Sequence, residues 1–231
     1  MKKTLNKTKI ADFATYIGVV IAFIVMNALM NEGLLTRSMK GQLVPICCYI
    51  VMAVSLNLVV GLLGELSLGH AGFMSVGLFS GCLISIALAE SLPLALRLPL
   101  SMLSGGLVAA VFGLIIGLPA LRLKGDYLAI VTLACGEIIK NLITNLKFTG
   151  GALGLNTGAI YSNTKALLPF AFVLVLLTVI VMMNLKSSRY GRAIMAIRDN
   201  RIAAESTGIN VTYFKLIVFI IAAFFAGAAG C

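Results

Sequence analysis

The chain has 231 residues, of which 60% are hydrophobic and 11% are charged, whereas soluble domains carry about 25% charged residues. A mean hydropathy of +1.06 excludes an ordinary water-soluble domain. The net charge of +10 could suggest nucleic acid, but the basic residues are not interleaved with aromatic ones as in base-binding surfaces. A membrane helix needs about 20 mostly apolar residues, so the chain is long enough for roughly seven spans.

Seven apolar runs follow one another and predict an all-α, polytopic bundle of transmembrane helices. They cover about residues 13–30, 42–63, 68–89, 98–120, 127–146, 166–184 and 213–231. The basic start of the chain would suit a signal peptide, but the first run is too long for an h-region and no A-x-A-like site closes it. We therefore expect an uncleaved first span.

The basic residues are distributed unequally between the two ends of these spans. With the amino terminus inside, twelve Lys and Arg residues lie on the inner side and six on the outer side. Cytoplasmic loops carry the excess of basic residues. The sequence therefore predicts a single transmembrane domain over residues 1–231, with a cytoplasmic amino terminus, in the cytoplasmic (plasma or inner) membrane.

Two of the spans are interrupted by glycine or by charge. The stretch Gly61–Gly72 contains four glycines together with Glu65 and His70, which indicates a broken or re-entrant helix, buried in protein or lining a cavity. The fifth span opens with Asp126 and carries Glu137, so it should not face lipid on all sides. An ionisable residue at membrane depth suggests function, although a hydrogen bond or ion pair to a neighbouring helix would also explain it.

The longest polar stretch after the amino terminus is 186–212. Asp199 or Asn200 can cap a helix in this stretch, and Gly208 can end it. We expect two short helices lying parallel to the membrane on its cytoplasmic side.

A small apolar face precedes that cap and is made of Ala193, Ile194 and Ile197. Such a face suits docking into a groove of a cytoplasmic partner. A solvated basic loop that only sets the topology is the alternative.

No motif for catalysis or nucleotide binding is present in the sequence. His70 is the single histidine, and G-x-S-x-G, H-E-x-x-H and C-x-x-C are all absent, so an enzyme is not indicated. The five cysteines lie in apolar stretches without metal-ligand spacing, so we expect no metal site. The chain also lacks G-x-x-x-x-G-K-[ST], and any ATP would therefore have to be used by another chain.

Five segments form a specific set when they are taken together. They are Gly64–Phe73 (GELSLGHAGF), Leu121–Leu133 (LRLKGDYLAIVTL), Glu137 after a glycine, Thr149–Gly151 (TGG) and the 188–208 part of the polar stretch. This set resembles branched-chain amino acid ABC permeases of the LivM type, over about residues 45–231. Glu65 stands where that family often has Gln, which leaves the substrate open. Members of the family continue with further spans, so we expect this sequence to be part of a longer chain.

The resemblance implies the permease subunit of an ATP-driven importer of branched-chain amino acids or related small polar amino acids and amides. Its partners would be a LivH-like second permease subunit or a second copy, two cytoplasmic ATPase subunits that use ATP, and an external substrate-binding protein. The residues expected to couple to the ATPase are Gly191, Arg192, Ala193, Ile197, Arg198, Asp199, Ala203, Ala204 and Gly208. The candidates for the translocation pathway are Ser67, Gly69, His70, Asp126, Tyr127, Glu137, Thr149 and Gly150. An ion-coupled secondary transporter of a small solute is the alternative.

Overall fold

The structure, a computed structural model, describes residues 2–32, 36–89, 91–123, 125–146, 149, 151, 154–155 and 164–231. Its helices are α1 Lys2–Asn31, α2 Arg37–Asn57, α3 His70–Ala87, α4 Leu94–Ala120, α5 Asp126–Asn145, α6 Thr164–Ser187, α7 Arg189–Asp199, α8 Arg201–Ser206 and α9 Val211–Gly230. No strand occurs within these residues. Seven helices are long and apolar enough to cross a membrane, which confirms the predicted all-α bundle. The side on which the amino terminus lies stays a prediction.

The centre of the bundle is formed by α3, α4 and α9, where small residues let the helix backbones approach closely. A Cβ added to Gly77 in α3 would overlap the backbone of Gly227 in α9. One added to Gly113 in α4 would lie 2.6 Å from the Cβ of Ala223 in α9. Close backbone approach at small residues is the usual basis of helix association in membranes. These three helices therefore make the closest interhelical packing of the described bundle.

The path from α2 to α3 is broken, as the glycine-rich sequence predicts. α2 continues into a π-helical turn, Leu58–Leu63, which ends at Gly64 with a φ of 79°. A positive φ of this size favours glycine because it has no Cβ. The backbone then follows an irregular course until α3 begins at His70. Residues 58–69 are called the elbow below.

Because of the elbow, the first residue of α3 lies well inside the bundle. His70 lies beside Ser55 of α2. Ser55 in turn lies eight residues before Leu63, where the π-helical turn ends. With a helical rise of about 1.5 Å per residue, and less in a π-helix, His70 lies roughly 10 Å from the end of the bundle that carries this turn. The elbow is therefore irregular backbone at membrane depth.

Three helices begin well before the predicted apolar runs: α1 at Lys2, α2 at Arg37 and α4 at Leu94, rather than at about 13, 42 and 98. α4 begins at Leu94, earlier than the predicted residue 98, because Pro93 lies just outside the helix, where its fixed φ and missing N–H cost nothing. Arg97 is therefore part of the helix and is 7% exposed, although the sequence places it in a loop.

Candidate functional site

Buried polar contacts hold the start of α3 against α2. His70 is 2% exposed, and its Nε2 lies 2.9 Å from Ser55 Oγ. The Ser55 hydroxyl also lies 2.8 Å from Met52 O, to which it can donate, and we therefore assign the Nε2–H tautomer to His70, with Ser55 Oγ as the acceptor. His70 Nδ1 has no hydrogen-bond partner in the described part of the chain. The histidine thus joins two spans at a depth where water does not compete for its hydrogen bond.

The last residues of the elbow pack against α5. Leu68 N donates to Thr132 Oγ1 at 3.1 Å, and a Cβ on Gly69 would overlap the Thr132 carbonyl. Ser67 is 3% exposed, and its hydroxyl has no partner among the described residues. Irregular backbone at membrane depth requires such protein neighbours. Three candidates for the pathway, Ser67, Gly69 and His70, are therefore enclosed by the bundle in this conformation.

Arg198, at the end of α7, lies across the elbow. Its Nη1 donates to Gly61 O at 3.0 Å, and its Nε and Nη2 donate to Asp199 Oδ1 at 3.2 and 3.1 Å. Gly61 belongs to the last turn of a helix, where carbonyls lack intrahelical partners and a nearby cation is favourable. A Cβ on Gly64 would lie 2.6 Å from Arg198 Cγ. Arg198 therefore caps the helical end of the elbow and packs over the glycine that follows.

Glu65 and Lys215 form a buried ion pair at the same place. Lys215 Nζ donates to Glu65 Oε1, and their side chains are 15% and 4% exposed for Glu65 and Lys215, respectively. Lys215 lies in the second turn of α9. Removing one partner of a buried pair leaves an unpaired charge and costs about 3–5 kcal/mol. The elbow is thus held by a cation from α7 and by another from α9.

α7 and α8 are the two short helices predicted for the long polar stretch. Ser188 Oγ caps α7 by accepting from Gly191 N at 3.1 Å. Asn200 Oδ1 caps α8 by accepting from Ala203 N at 3.1 Å, so Asn200 is the cap rather than the residue before it. After α8, Gly208 has a φ of 85°, the conformation that commonly ends helices.

The apolar face of α7 packs on the protein's own core. Ile194 is 1% exposed and Ile197 is 4% exposed, as is Ala204 of α8, and all three belong to the cluster that contains the π-helical turn. Gly191 is also buried, and a Cβ there would overlap Leu185 O. The prediction that this apolar face docks into a groove of a cytoplasmic partner is therefore wrong for the two isoleucines. The bundle itself covers the isoleucines, so their periodicity is no sign of a partner.

The opposite side of α7 and α8 is exposed. Arg192, Asp199, Ala203 and Gly208 are exposed, and Ala193 is half-buried.

At the start of α8, Ile202 is 80% exposed. Because α8 lies outside the seven helices that could cross a membrane, this isoleucine is not part of a membrane-spanning surface. A docking surface on this segment would therefore be built from exposed residues such as Ile202, and not from the predicted apolar face.

The exposed face of α5 carries charged side chains among apolar ones, since Ile130 and Leu133, 61% and 48% exposed, lie on it as well. The side chains of Glu137 and Lys140 are 57% and 67% exposed and form an ion pair of 3.4 Å. Asp126 is exposed at the start of the helix, and Tyr127 is 72% exposed. Glu137 lies roughly 17 Å along the helix from Asp126, about half of the 30 Å hydrocarbon core. Charged groups at this depth avoid hydrocarbon, so the Glu137–Lys140 pair favours contact with water or with another protein chain.

Thr149 closes the far end of α5. Its hydroxyl lies 2.6 Å from Ile143 O and 2.7 Å from Leu146 O, and the residue is 2% exposed. The hydroxyl therefore satisfies carbonyls that the helix end leaves free. Gly150, the other candidate in this loop, lies outside the described residues.

Comparison with known proteins places the whole bundle from α2 onwards in one family. Residues 38–231 match the permease component of the branched-chain amino acid transport system. The chain belongs to this family.

The relatives of this permease-family chain are named as permeases for two classes of solute, branched-chain amino acids and a sugar. The chain is 36% identical to the high-affinity branched-chain amino acid transport system permease protein LivM of Salmonella typhimurium and 35% identical to LivM of Escherichia coli. Each comparison covers 79% of this chain and 49% of the relative, so the chain spans about half the length of these relatives. It is 27% identical to the L-arabinose ABC transporter permease protein AraH of Azospirillum brasilense, over 92% of this chain and 62% of that protein. No solved structure matches the chain.

Two residues that organise this permease-family structure are not found by sequence reasoning. In the sequence, Lys215 counts only as one of the basic residues that set the topology. Its position inside an apolar run nevertheless indicates a buried partner. Thr132 carries no signal, because a threonine hydroxyl that also donates to its own helix, here to Ala129 O at 3.0 Å, is ordinary in a membrane span. Its second role, as the acceptor for Leu68 N, is visible only in the folded structure.

Proposed function

We propose that this chain is the membrane-spanning permease subunit of an ATP-driven importer of branched-chain amino acids. The observation that carries this proposal is the exposed Glu137–Lys140 pair, which lies near the middle of the 20-residue span α5. A charged side chain at the bilayer centre costs about 2.5–3.5 kcal/mol on insertion scales. A solute pathway between this chain and a second permease subunit would give this pair a wet, protein-lined environment.

The pathway in this proposal has an outer and an inner layer. Asp126, Tyr127 and Glu137 lie on the exposed face of α5 and would line it. The enclosed residues of the elbow and the start of α3 lie behind α5, since Leu68 N bonds to Thr132 on the buried side of that helix. A shift of the elbow would therefore move α5 relative to the rest of the bundle. The second subunit is a LivH-like chain or another copy of this one.

ATP is hydrolysed on separate chains in this proposal. The sequence has no P-loop, whereas α8 presents Ile202 and Ala203 outward. A short helix with an exposed apolar residue fits a groove on a partner. We therefore assign the segment 186–212 to docking on one of two cytoplasmic ATPase subunits. An external substrate-binding protein completes the importer.

We place the amino terminus and the α7–α8 segment in the cytoplasm, and the protein in the cytoplasmic membrane. Leu121, at the end of α4, packs in the same hydrophobic cluster as Ile194 of α7. The basic turn after α4 and the basic α7–α8 segment therefore lie at one end of the bundle. The concentration of Lys and Arg at this end supports a cytoplasmic location.

The names of the relatives support the choice of substrate. The two LivM proteins are 36% and 35% identical to this chain, whereas AraH is 27% identical. We therefore propose a branched-chain amino acid, and L-arabinose serves as the comparison solute in the test.

The first experiment isolates the full natural complex from native membranes and identifies its chains by mass spectrometry. We expect a P-loop ATPase with the wild-type chain, and its loss with Ile202→Glu plus Ala203→Glu. Leu123→Glu is the matched control, because Leu123 is 37% exposed in the turn after α4 at the same end. Recovery of no ATPase with the wild-type chain would contradict the proposal.

The second experiment measures uptake of labelled leucine and arabinose into proteoliposomes that contain this complex. We expect leucine uptake that requires ATP on the side of the ATPase. Uptake driven by an ion gradient without ATP would establish the secondary transporter instead. Uptake of arabinose alone would keep the ATP-driven mechanism and replace the substrate.

A further inference from the structure

The α7–α8 segment and the helix that follows it both contact the elbow through a charged side chain. Arg198, at the centre of the segment, reaches Gly61 O at 3.0 Å. Lys215, in the helix that follows, pairs with Glu65. The two contact points on the elbow are four residues apart, so one short piece of backbone carries both charged contacts.

We propose that Arg198, Lys215 and Glu65 are positioning residues that pass movement of the α7–α8 segment to the elbow, and through it to the start of α3. The proposal rests on the proposed function, in which that segment docks on an ATPase. It adds a defined connection between the docking surface and the enclosed end of α3.

The chemistry of these contacts suits the transmission of a displacement. Apolar contacts between α7 and the π-helical turn are non-directional, so two such surfaces can slide past each other. The Arg198 guanidinium is held by three hydrogen bonds, and its planar fork fixes their direction. The Glu65–Lys215 pair is buried, so water does not replace either partner when the pair is pulled.

The elbow in turn leads to two further bonds. Leu68 N is held by Thr132 of α5, and His70, the first residue of α3, is held by Ser55 of α2. A displacement of residues 61–65 therefore acts within a few residues on the junction of three spans. Residues 64–69 of the elbow are not helical. They can therefore change their backbone dihedral angles without breaking a helical hydrogen-bond ladder.

The test uses the whole complex in proteoliposomes and compares solute uptake with ATP hydrolysis. The variant is Glu65→Gln with Lys215→Met, which removes both charges and leaves no unpaired buried ion. Arg198 is left unchanged because it also lies on the proposed docking segment. The control is Arg122→Gln, which removes an exposed positive charge at the same end of the bundle.

We expect the double variant to retain its ATPase and its rate of ATP hydrolysis, while the ATP consumed per solute rises roughly tenfold, within the usual range for a coupling free energy between two sites. The control should keep the wild-type ratio. Uptake and hydrolysis that fall in parallel would overturn the proposal, as would an unchanged ratio. A wild-type complex without an ATPase would show instead that the proposed function is wrong.

A distance measurement keeps the proposal testable if the double variant is poorly assembled. Spin labels are attached at Tyr190 of α7 and Leu66 of the elbow, which are 55% and 47% exposed, in a cysteine-free background. With Glu65 and Lys215 intact, we expect the separation of the labels to be the same with and without ATP. Wild-type labels that separate when ATP binds would show that the elbow does not follow α7, and would overturn the proposal.

Discussion

Replacing Gly77 by alanine places a methyl group where α3 and α9 touch backbone to backbone. The added Cβ would overlap the carbonyl O, the Cα and the carbonyl C of Gly227. None of these atoms can give way unless a whole helix moves. Overpacking a core costs about 1–3 kcal/mol, and a rigid backbone neighbour places this substitution in the upper part of that range. At roughly 2–4 °C per kcal/mol for a chain of this length, we expect the unfolding temperature to fall by about 4–12 °C.

The matched control for this substitution is Gly18→Ala in α1. A Cβ at Gly18 meets nothing within 4 Å, and alanine is the better helix former by about 1 kcal/mol. Unfolding in detergent can be followed with a thiol-reactive fluorophore, because the five cysteines are free and Cys47 and Cys82 are buried. We expect Gly18→Ala to unfold at or above the wild-type temperature. If the two variants unfold together, α3 and α9 do not meet at Gly77, and the close packing of the bundle centre is wrong.

Three further substitutions test the polar groups. Ser55→Ala leaves the Nε2–H of His70 buried without an acceptor and should lower the free energy of unfolding by about 1–3 kcal/mol, measured in the same thermal assay. Asn200→Ala removes the cap of α8 and should cost about 1 kcal/mol, measured as faster amide hydrogen exchange across that helix. Glu137→Cys should be labelled in membranes by a charged maleimide, because thiolate forms in water. Val173→Cys in α6, at a position 61% exposed on the bundle surface, should not be labelled.

Each of these tests has a control and an outcome that contradicts it. Ser75→Ala removes a hydroxyl that donates to its own helix at Ala71 O, so it should leave stability unchanged. An equal effect of both serine substitutions would remove the assigned role of His70 as donor. Asn200→Asp keeps the capping oxygen and should preserve slow exchange, so fast exchange in this variant would show that the cap does not hold α8. Equal labelling at 137 and 173 would show that α5 faces the same environment as α6.

The spans and the break between α2 and α3 can be predicted from the sequence because their causes are local. About 20 consecutive apolar residues are sufficient for a membrane helix, and closely spaced glycines such as Gly61, Gly64 and Gly69 weaken a helix wherever they occur. The second short helix after α6 follows from its capping residue and from Gly208 for the same reason.

The partners of the site could not be predicted, since they depend on how distant segments meet. Glu65 and Lys215 are 150 residues apart in the chain, and nothing near either residue indicates the other. The isoleucine periodicity of α7 correctly predicts an apolar face. It does not reveal what covers that face, because Ile194 would show the same pattern against a partner protein as against its own bundle.

The hydrogen bond from Leu68 N to Thr132 has a consequence for the order in which the nascent chain enters the bilayer. Thr132 is synthesised 64 residues after Leu68, so the elbow has no partner for this amide when α3 leaves the ribosome. An unsatisfied amide in hydrocarbon costs several kcal/mol. The beginning of α3 should therefore remain near the headgroups until α5 arrives, and the two spans should reach their final depth together.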